Sequence, residues 1–373
     1  MFLQNLSLIN FKNYDIVETQ FSQRINCFIG NNGVGKTNIL DSIFYLSFCK
    51  SCFNFSDSSN IKHKRDFFVI QGTYNKNEKL EKIYCGVKLN QKKQFKRNDK
   101  EYSRLSEHIG VIPLVIISPM DSNLIVGGSD ERRRFVDTVI SQFDINYLRN
   151  LIKYNKALTQ RNAFLKSISQ KPNFDSDSIE IWNEQLVFYG EKIHEKRVDF
   201  INRLIPLFQK YYDIISENSE IVDLEYSSQL NDSGLEKLLI ESLEKDKILQ
   251  YTTKGTHKDD LVFKLKNFPL KRNGSQGQQK TFIVALKLAQ YDFMKMTNDY
   301  KPILLLDDIF DKFDAKRVKQ IVKLLSGNNF GQIFISDTSQ DRLHKILSEI
   351  DIENIIFNIE NGIITQADSF ANQ

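Results

Sequence analysis

A chain of 373 residues, 41% hydrophobic and 26% charged, has an ordinary globular composition and length enough for two or three domains. That excludes a disordered chain, a collagen-like fibre and a small disulfide-stapled module. Fifty-one Lys and Arg against 47 Asp and Glu leave a net charge of +4, too even to announce a nucleic-acid binder, although a sum conceals local patches.

The N-terminus, Met1–Phe11, lacks a basic start followed by an apolar run and a small-residue cleavage site. Cys27, Cys49, Cys52 and Cys85 therefore read as reduced thiols of a cytoplasmic protein. Cys49 and Cys52 form a C-x-x-C pair, but His63 is the nearest histidine and stands alone, so a structural zinc site is not expected. No stretch approaches the roughly 18 consecutive apolar residues of a membrane span.

Leu6 and Leu8 alternate with polar neighbours, as in a strand, and Ile25–Ile29 leads into a Gly-rich loop. After the loop, Ile39, Ile43, Phe44 and Leu46 recur at helical spacing. Between them, Gly30-Asn31-Asn32-Gly33-Val34-Gly35-Lys36-Thr37 matches G-x-x-x-x-G-K-[ST] without a gap. Its glycines let backbone N–H groups cradle phosphates, and the helix behind it adds a positive N-terminus. Lys36 is placed for the β- and γ-phosphates of ATP and Thr37 for Mg²⁺, with Asn38 just beyond. Strand, loop and helix agree with the pattern, so a chance Gly-rich turn is the weaker account.

Short β-rich runs follow at Phe68–Ile70, Ile83–Cys85 and Val111–Ile117. From Ser141 to Ile168, Leu148, Leu151, Ile152, Leu158 and Leu165 predict one apolar helical face. Ser169–Ser178 is polar and contains Pro172, so it reads as a turn. Ile179 to about Ile215 carries Trp182, Leu186, Ile193, Phe200, Ile201 and Leu204 at helical spacing, with Pro206 kinking or interrupting it. The two long patterns predict a helical hairpin.

Strand character returns near Asp260. Ile303–Leu306 is a buried-strand run that ends in Asp307-Asp308. Asp307 would hold Mg²⁺ opposite Thr37, and Asp308 sits where a base or water-orienting carboxylate belongs. Thr37 and Asp307 are 270 positions apart, so the intervening chain must leave the sheet and return. Gln332–Ile335 is another strand, and Asn361-Gly362 between apolar runs is a hairpin signal.

Ser275-Gln276-Gly277-Gln278-Gln279 resembles the signature motif of ATP-binding-cassette ATPases. A Ser and a Gly at a helix N-terminus make a second anion site, although Ser275 also suits a plain helix cap. Asp314 falls where those ATPases carry their D-loop aspartate. Phe11-Lys12-Asn13-Tyr14, Ser118-Pro119-Met120-Asp121, Gly128–Asp137, Tyr154–Asn162 and Gly255–Leu261 then resemble the RecF family of bacterial recombination and gap-repair ATPases. The match covers nearly the whole chain in the family's order, and the Tyr154–Asn162 stretch is specific to that family.

The resemblance implies an α/β SMC-like P-loop ATPase head with an inserted α-helical arm. It implies an ATP-dependent homodimer in which Ser275, Gln276, Gly277 and Gln278 of each copy complete the other's site. Lys36, Asp308, Ser275 and Asp314 would carry weak, DNA-stimulated hydrolysis, in concert with RecO and RecR at DNA gaps or junctions. Lys12 stands where the family carries Arg, Met120 where a Glu is expected, Thr256 and Lys258 where Pro and Arg are usual, and Phe313 for Leu. None of these removes a nucleotide ligand. The expected division is residues 1–125 and 245–373 for the head and 126–244 for the arm.

DNA contacts are sought in basic stretches: Lys92, Lys93, Lys96 and Arg97 of the Lys88–Lys100 run, Arg132 and Arg133, and Lys153 and Lys156. Scattered phosphate contacts predict sequence-independent, salt-sensitive binding. Three other classes compete. A transporter ATPase subunit shares the P-loop but needs a membrane partner. An SMC protein needs far longer heptad arms. A catalytically silent nucleotide-binding scaffold is suggested by Asp308, where cassette ATPases commonly carry Glu.

Overall fold

The computed structural model describes residues 1–54, 56–168, 179–298, 300–311, 313–348 and 353–367. The turn expected at 169–178 lies outside them. In chain order the strands and helices begin with β1 (Phe2–Ile9), β2 (Ile16–Gln20), β3 (Ile25–Ile29) and α1 (Lys36–Phe48). Next come β4 (Phe67–Lys76), β5 (Lys79–Lys88), β6 (Gln94–Arg97), β7 (Lys100–Glu101) and β8 (Leu114–Ile117). Four helices follow: α2 (Asn123–Val126), α3 (Ser129–Ser141), α4 (Ile145–Ile168) and α5 (Glu180–Ser216). Then come β9 (Val222–Ser227), α6 (Leu235–Leu249), β10 (Asp260–Leu265), β11 (Phe268–Pro269), α7 (Leu270–Asn273) and α8 (Gln276–Thr297). The chain closes with β12 (Ile303–Asp307), α9 (Ala315–Leu325), β13 (Ile333–Asp337), α10 (Gln340–Ser348), β14 (Asn354–Glu360) and β15 (Ile363–Ala367).

Two compact units result. The first comprises 1–121, 211–217 and 280–373; the second comprises 122–210 and 218–279. The first unit holds two six-stranded sheets. One is antiparallel, in the order β2-β1-β4-β5-β6-β7. The other runs β15-β14-β3-β13-β12-β8, parallel except for β15, which returns through the Asn361-Gly362 turn with both residues at positive φ. In β3, β12 and β13 every residue is buried, as a parallel strand covered on both faces requires.

Helix α1 touches strands of both sheets, so Ile39, Leu40, Ile43, Phe44 and Leu46 all enter the core with Leu6, Leu8, Phe28, Phe68, Leu305 and Phe334. Its hydrophobic face is therefore nearly all round, the mark of a helix inside a core rather than on one. Gln332 stitches β1 to the parallel sheet: its amide accepts from Leu3 N (2.8 Å) and donates to Leu3 O and Ser22 O (2.8 Å each).

The second unit differs from the expected all-helical arm. Beside α3, α4, α6 and most of α5 it contains the antiparallel sheet β11-β10-β9, and residues 245–279, expected in the head, belong to it. Strand pairing is non-local: the alternation at 260–265 predicts a strand but does not say that Val222–Ser227 is its partner. Helix α5 runs unbroken through Pro206.

The predicted face of α4 also needs correction. The buried residues are Tyr147, Tyr154, Ala157, Arg161 and Leu165, while Ile152 is 50% exposed. The stripe is polar-tipped, and its tips are satisfied. Tyr147 donates to Asp137, and Tyr154 Oη lies 2.8 Å from His257 Nδ1. Arg161 donates to Asp246, Thr252 and Asn183. Among the described residues no helix is long and apolar enough to cross a membrane.

Candidate nucleotide-binding site

The Gly-rich loop joins β3 to α1 at the carboxyl edge of the parallel sheet, the end at which open α/β sheets bind ligands. Gly35 caps α1 at φ +119°, and a Cβ there would lie 2.6 Å from both Asn13 Nδ2 and Tyr14 Oη. Only glycine meets both demands. No acidic residue sits in the first turn of α1, so the positive end of the helix is not neutralised from within.

Lys36 is buried, and its Nζ donates to the carbonyls of Gly30 (2.8 Å) and Asn31 (2.9 Å). Thr37 Oγ1 lies 3.0 Å from each carboxylate oxygen of Asp307, at the end of β12. The predicted convergence of these two residues is therefore met. Asp307 also accepts from Ser336 Oγ (2.6 Å) on the adjacent β13. Burial raises the Asp307 pKa; the Ser336 and Thr37 hydrogen bonds and the Lys36 charge oppose the rise, and the neighbouring Asp308 adds to it. Thr37 and Asp307 offer hard oxygen donors side by side, the donor type Mg²⁺ takes. Among the described residues no group of three His, Cys, Asp or Glu could hold a metal alone, so the remaining ligands would come from phosphate and water.

Asp308 follows at φ +47°, a left-handed conformation that Asp tolerates better than most residues. Its N–H lies 3.1 Å from Ser336 Oγ and 3.3 Å from Ser336 O. Burial raises its pKa, Lys36 lowers it, and Asp337 raises it further. Asp337, at the end of β13, is buried and takes both Arg342 Nη2 (2.7 Å) and Nε (3.0 Å). Ser336, Asp337 and Arg342 escape the sequence reading; the only signal is a buried strand ending in Ser-Asp, as β12 ends in Asp-Asp.

A second set shows in the sequence only as the Phe11–Tyr14 run and Asn38, without the contacts that join them. Asn13 Nδ2 donates to Val34 O (2.8 Å), Asn38 Nδ2 donates to Asn13 Oδ1 (2.7 Å), and Tyr14 Oη donates to Gly35 O (3.0 Å). Lys12 pairs with the buried Asp41 of α1 (2.6 Å), which also accepts from Ser51 Oγ and Cys52 N. Asn38, expected near the nucleotide, is thus engaged with Asn13.

Ser275 and Gln278 form a reciprocal cap at the start of α8, in the second unit. Ser275 Oγ accepts from Gln278 N (3.3 Å), and Gln278 Oε1 accepts from Ser275 N (2.8 Å). Ser275 and Gln276 are exposed, and Gly277 is half-buried. Asp314 caps α9, accepting from Arg317 N (2.9 Å), which is a structural duty beside the catalytic one expected of it. Met120 is 45% exposed, and its neighbour Asp121 pairs with Lys287 (2.7 Å).

Half of the expected DNA contacts are already committed to partners within the protein. Lys93 donates to Cys49 O (2.6 Å) and Asp57 (2.8 Å). Arg97 holds Glu81 with two bonds, Arg132 holds Asp260 with two, and Arg133 pairs with Asp130. All four are held in ion pairs within the protein, which counting charges along a sequence does not reveal. Lys92, Lys153 and Lys156 are exposed, and Lys96 is half-buried, with its ammonium 5.5 Å from the centre of the Tyr84 ring. The C-x-x-C thiols are free, and burial pushes both Cys49 and Cys52 up to about 12, which makes them poor nucleophiles and metal ligands.

Residues 2–355 match the family described as RecF/RecN/SMC N terminal domain. The DNA replication and repair protein RecF of Phocaeicola vulgatus is 54% identical over 373 residues, covering all of both chains. That of Flavobacterium johnsoniae is 49% identical over 359 residues, 96% of this chain and 100% of its own. A solved structure of the recombination mediator protein RecF-ATPrS in the RecFOR pathway superposes with a TM-score of 0.87 at 30% identity, covering 98% of each chain. An SmcHead structure superposes at 0.60 with 16% identity, over 100% of this chain and 98% of its own, a likeness of fold alone.

Proposed function

The chain belongs to the RecF family, and from that premise we propose that it is an ATP-dependent DNA-binding protein of recombinational repair and replication-gap processing. The observation that carries this is the meeting of Lys36, Thr37 and Asp307 around one phosphate loop in a chain similar to RecF over its full length. ATP places its phosphates on the amides of Gly30–Thr37. Lys36 then exchanges the carbonyls of Gly30 and Asn31 for β- and γ-phosphate oxygens, a charge-assisted gain over its present partners. Thr37 and Asp307 hold Mg²⁺, which when bound neutralises phosphate charge. Asp308 orients the attacking water and takes its proton as ATP becomes ADP and phosphate.

Ser275–Gln278 of a second copy closes on the γ-phosphate, with the positive end of its exposed helix N-terminus facing the anion. ATP thereby joins two copies on DNA, and hydrolysis releases them. Turnover is slow and rises with DNA, as suits a clamp that acts by holding. Lys92, Lys96, Lys153 and Lys156 meet phosphates without reading sequence, and RecO and RecR act with the clamp at gaps in cytoplasmic DNA.

Size-exclusion chromatography and ATPase assays, with and without DNA, on wild type, Lys36→Ala and Asp308→Ala test this. The wild type should dimerise with ATP and hydrolyse faster on DNA; Lys36→Ala should do neither. A wild type that stays monomeric with ATP and ignores DNA would overturn the clamp.

A further inference from the structure

We propose that Asn13 and Tyr14, on the connection between β1 and β2, are positioning residues that aim two consecutive phosphate-loop amides, those of Gly35 and Lys36. The inference rests on the nucleotide-binding role of the loop and adds what sets its shape before nucleotide arrives.

A peptide unit is planar, and in the trans form its C=O and N–H point in opposite directions. The described chain contains no cis peptide. Asn13 Nδ2 holds the carbonyl of Val34 at 2.8 Å, so the N–H of the same peptide, that of Gly35, is turned away from Asn13. Tyr14 Oη holds the carbonyl of Gly35 at 3.0 Å, so the N–H of Lys36 is turned away from Tyr14. Lys36 opens α1, and its N–H is one of the first-turn donors with no partner inside the helix. Two neighbouring peptides, each free to flip in a Gly-rich loop, are thus fixed by side chains that lie outside the motif.

The two side chains are themselves held. Asn38 Nδ2 donates to Asn13 Oδ1 at 2.7 Å, which leaves the Asn13 amide only one orientation: oxygen toward Asn38, nitrogen toward Val34. The Asn13 carbonyl accepts from Lys62 Nζ (3.1 Å), and Tyr14 N donates to Phe11 O (2.9 Å). Tyr14 is fully buried, and its hydroxyl donates to the Gly35 carbonyl. The turn costs conformational freedom, with Lys12 at φ +51°, and that residue is anchored by Asp41. A rigid turn pressing on a flexible loop is the arrangement that preorganisation needs.

The test measures ATP and ADP affinity by fluorescence competition, steady-state kinetics, and the melting temperature without nucleotide, on wild type, Asn13→Leu, Asn13→Asp, Tyr14→Phe, the double variant Asn13→Leu/Tyr14→Phe, and Lys36→Ala. Asn13→Leu and Tyr14→Phe should each weaken both nucleotides about ten-fold, one hydrogen bond's worth of orientation. The losses should multiply in the double variant, because each side chain governs a different amide. KM should rise with kcat kept; melting should fall modestly as the Val34 and Gly35 carbonyls lose their donors, while each variant stays folded at the assay temperature.

A loss in Asn13→Asp with Asn13→Leu at wild-type affinity would be charge repulsion alone and would sink the inference. So would affinity losses seen only in variants that are partly unfolded at the assay temperature, which would mark a plain packing role. A wild type that binds no ATP, like Lys36→Ala, would overturn the nucleotide reading as well. Tight wild-type binding with unaffected Asn13 and Tyr14 variants would overturn this inference alone.

Discussion

Thr37 Oγ1 stands 3.0 Å from both carboxylate oxygens of Asp307, across 270 positions of chain. Such a pair persists in a folded chain only where the structure brings both ends of the sequence to one sheet, here through the parallel register of β12, β13 and β3. Asp307→Asn keeps the shape and removes the charge that a divalent cation needs. ATP hydrolysis should fall on the order of 100-fold, and the dependence of ATP affinity on Mg²⁺ should flatten. Titrating Mg²⁺ at fixed ATP reads both; an undiminished Mg²⁺ requirement in the variant would assign the metal elsewhere.

Asp308 is placed differently. It is half-buried, left-handed in backbone and fixed through its N–H to Ser336, so its carboxylate is positioned without being spent. Asp308→Asn should leave ATP affinity within about two-fold and lower kcat by roughly 100-fold or more, the usual worth of a positioned base. The ATP-bound dimer should persist longer on DNA. Single-turnover quench-flow beside light scattering separates the two effects, and a fast variant would leave Asp308 without a catalytic role.

The eight basic residues first considered for DNA separate into two experimental groups. Alanine at Lys92, Lys96, Lys153 or Lys156 should lower DNA affinity, reduce the slope of log affinity against log salt by up to about one per residue, and leave melting unchanged. Alanine at Lys93, Arg97, Arg132 or Arg133 should chiefly lower the melting temperature, because an acid or carbonyl loses its partner. Fluorescence anisotropy over a salt series, set against melting curves, discriminates them. The opposite partition would restore the simple charge-count view.

The difference between these groups shows where a sequence stops speaking. Gly30–Thr37 is legible because the chemistry lies in one contiguous run between a strand and a helix, and Asp307 because a fully apolar strand ends on it. Asn13, Tyr14 and Ser336 act through contacts with residues 21 or more positions away, and Asp337 through Arg342 on the helix that follows it, none of which local periodicity encodes. Arg161 fails for a related reason. Nothing near it in the sequence marks it as buried, yet it is fully buried because Asp246, 85 positions away, pairs with it. The sheet β11-β10-β9 was invisible as a unit because its strands come from either side of α6.

Arg161 yields a stability prediction of its own. Nη1 donates to Asp246 (2.7 Å) and Thr252 (2.8 Å), and Nε to Asn183 (2.8 Å). Arg161→Ala strands a buried carboxylate, and should cost about 3–5 kcal/mol in the second unit, while Arg161→Met with Asp246→Leu should recover most of it. Denaturant unfolding measures the loss, and ATP affinity, set in the first unit, should be unmoved. A double variant no better than Arg161→Ala would show that the unpaired charge is not the cause.

His108 gives the pH dependence. Its Nε2 lies 2.7 Å from Leu46 O and its Nδ1 3.0 Å from Tyr102 Oη. A carbonyl only accepts, so Nε2 carries the proton, Nδ1 accepts from the tyrosine, and the ring is neutral. Burial lowers its pKa from 6.5 to about 4; the Leu46 carbonyl opposes the shift, Arg97 adds to it and Glu81 opposes it. Above pH 6.5 the ring is neutral folded and unfolded, so its contribution is fully present. As pH falls from 6.5 toward 4 the unfolded chain takes the proton first, and stability is lost, by about 3 kcal/mol at most. His257, in the second unit, is lowered to about 4 by burial as well and acts in the same direction. His108→Gln can both donate and accept but does not titrate in this range. Its melting temperature should therefore fall less steeply than the wild type's between pH 6.5 and 4.5, a span chosen to lie within the His108 shift. Parallel slopes in the two proteins would mean that acid sensitivity of the first unit lies with its carboxylates rather than with this histidine.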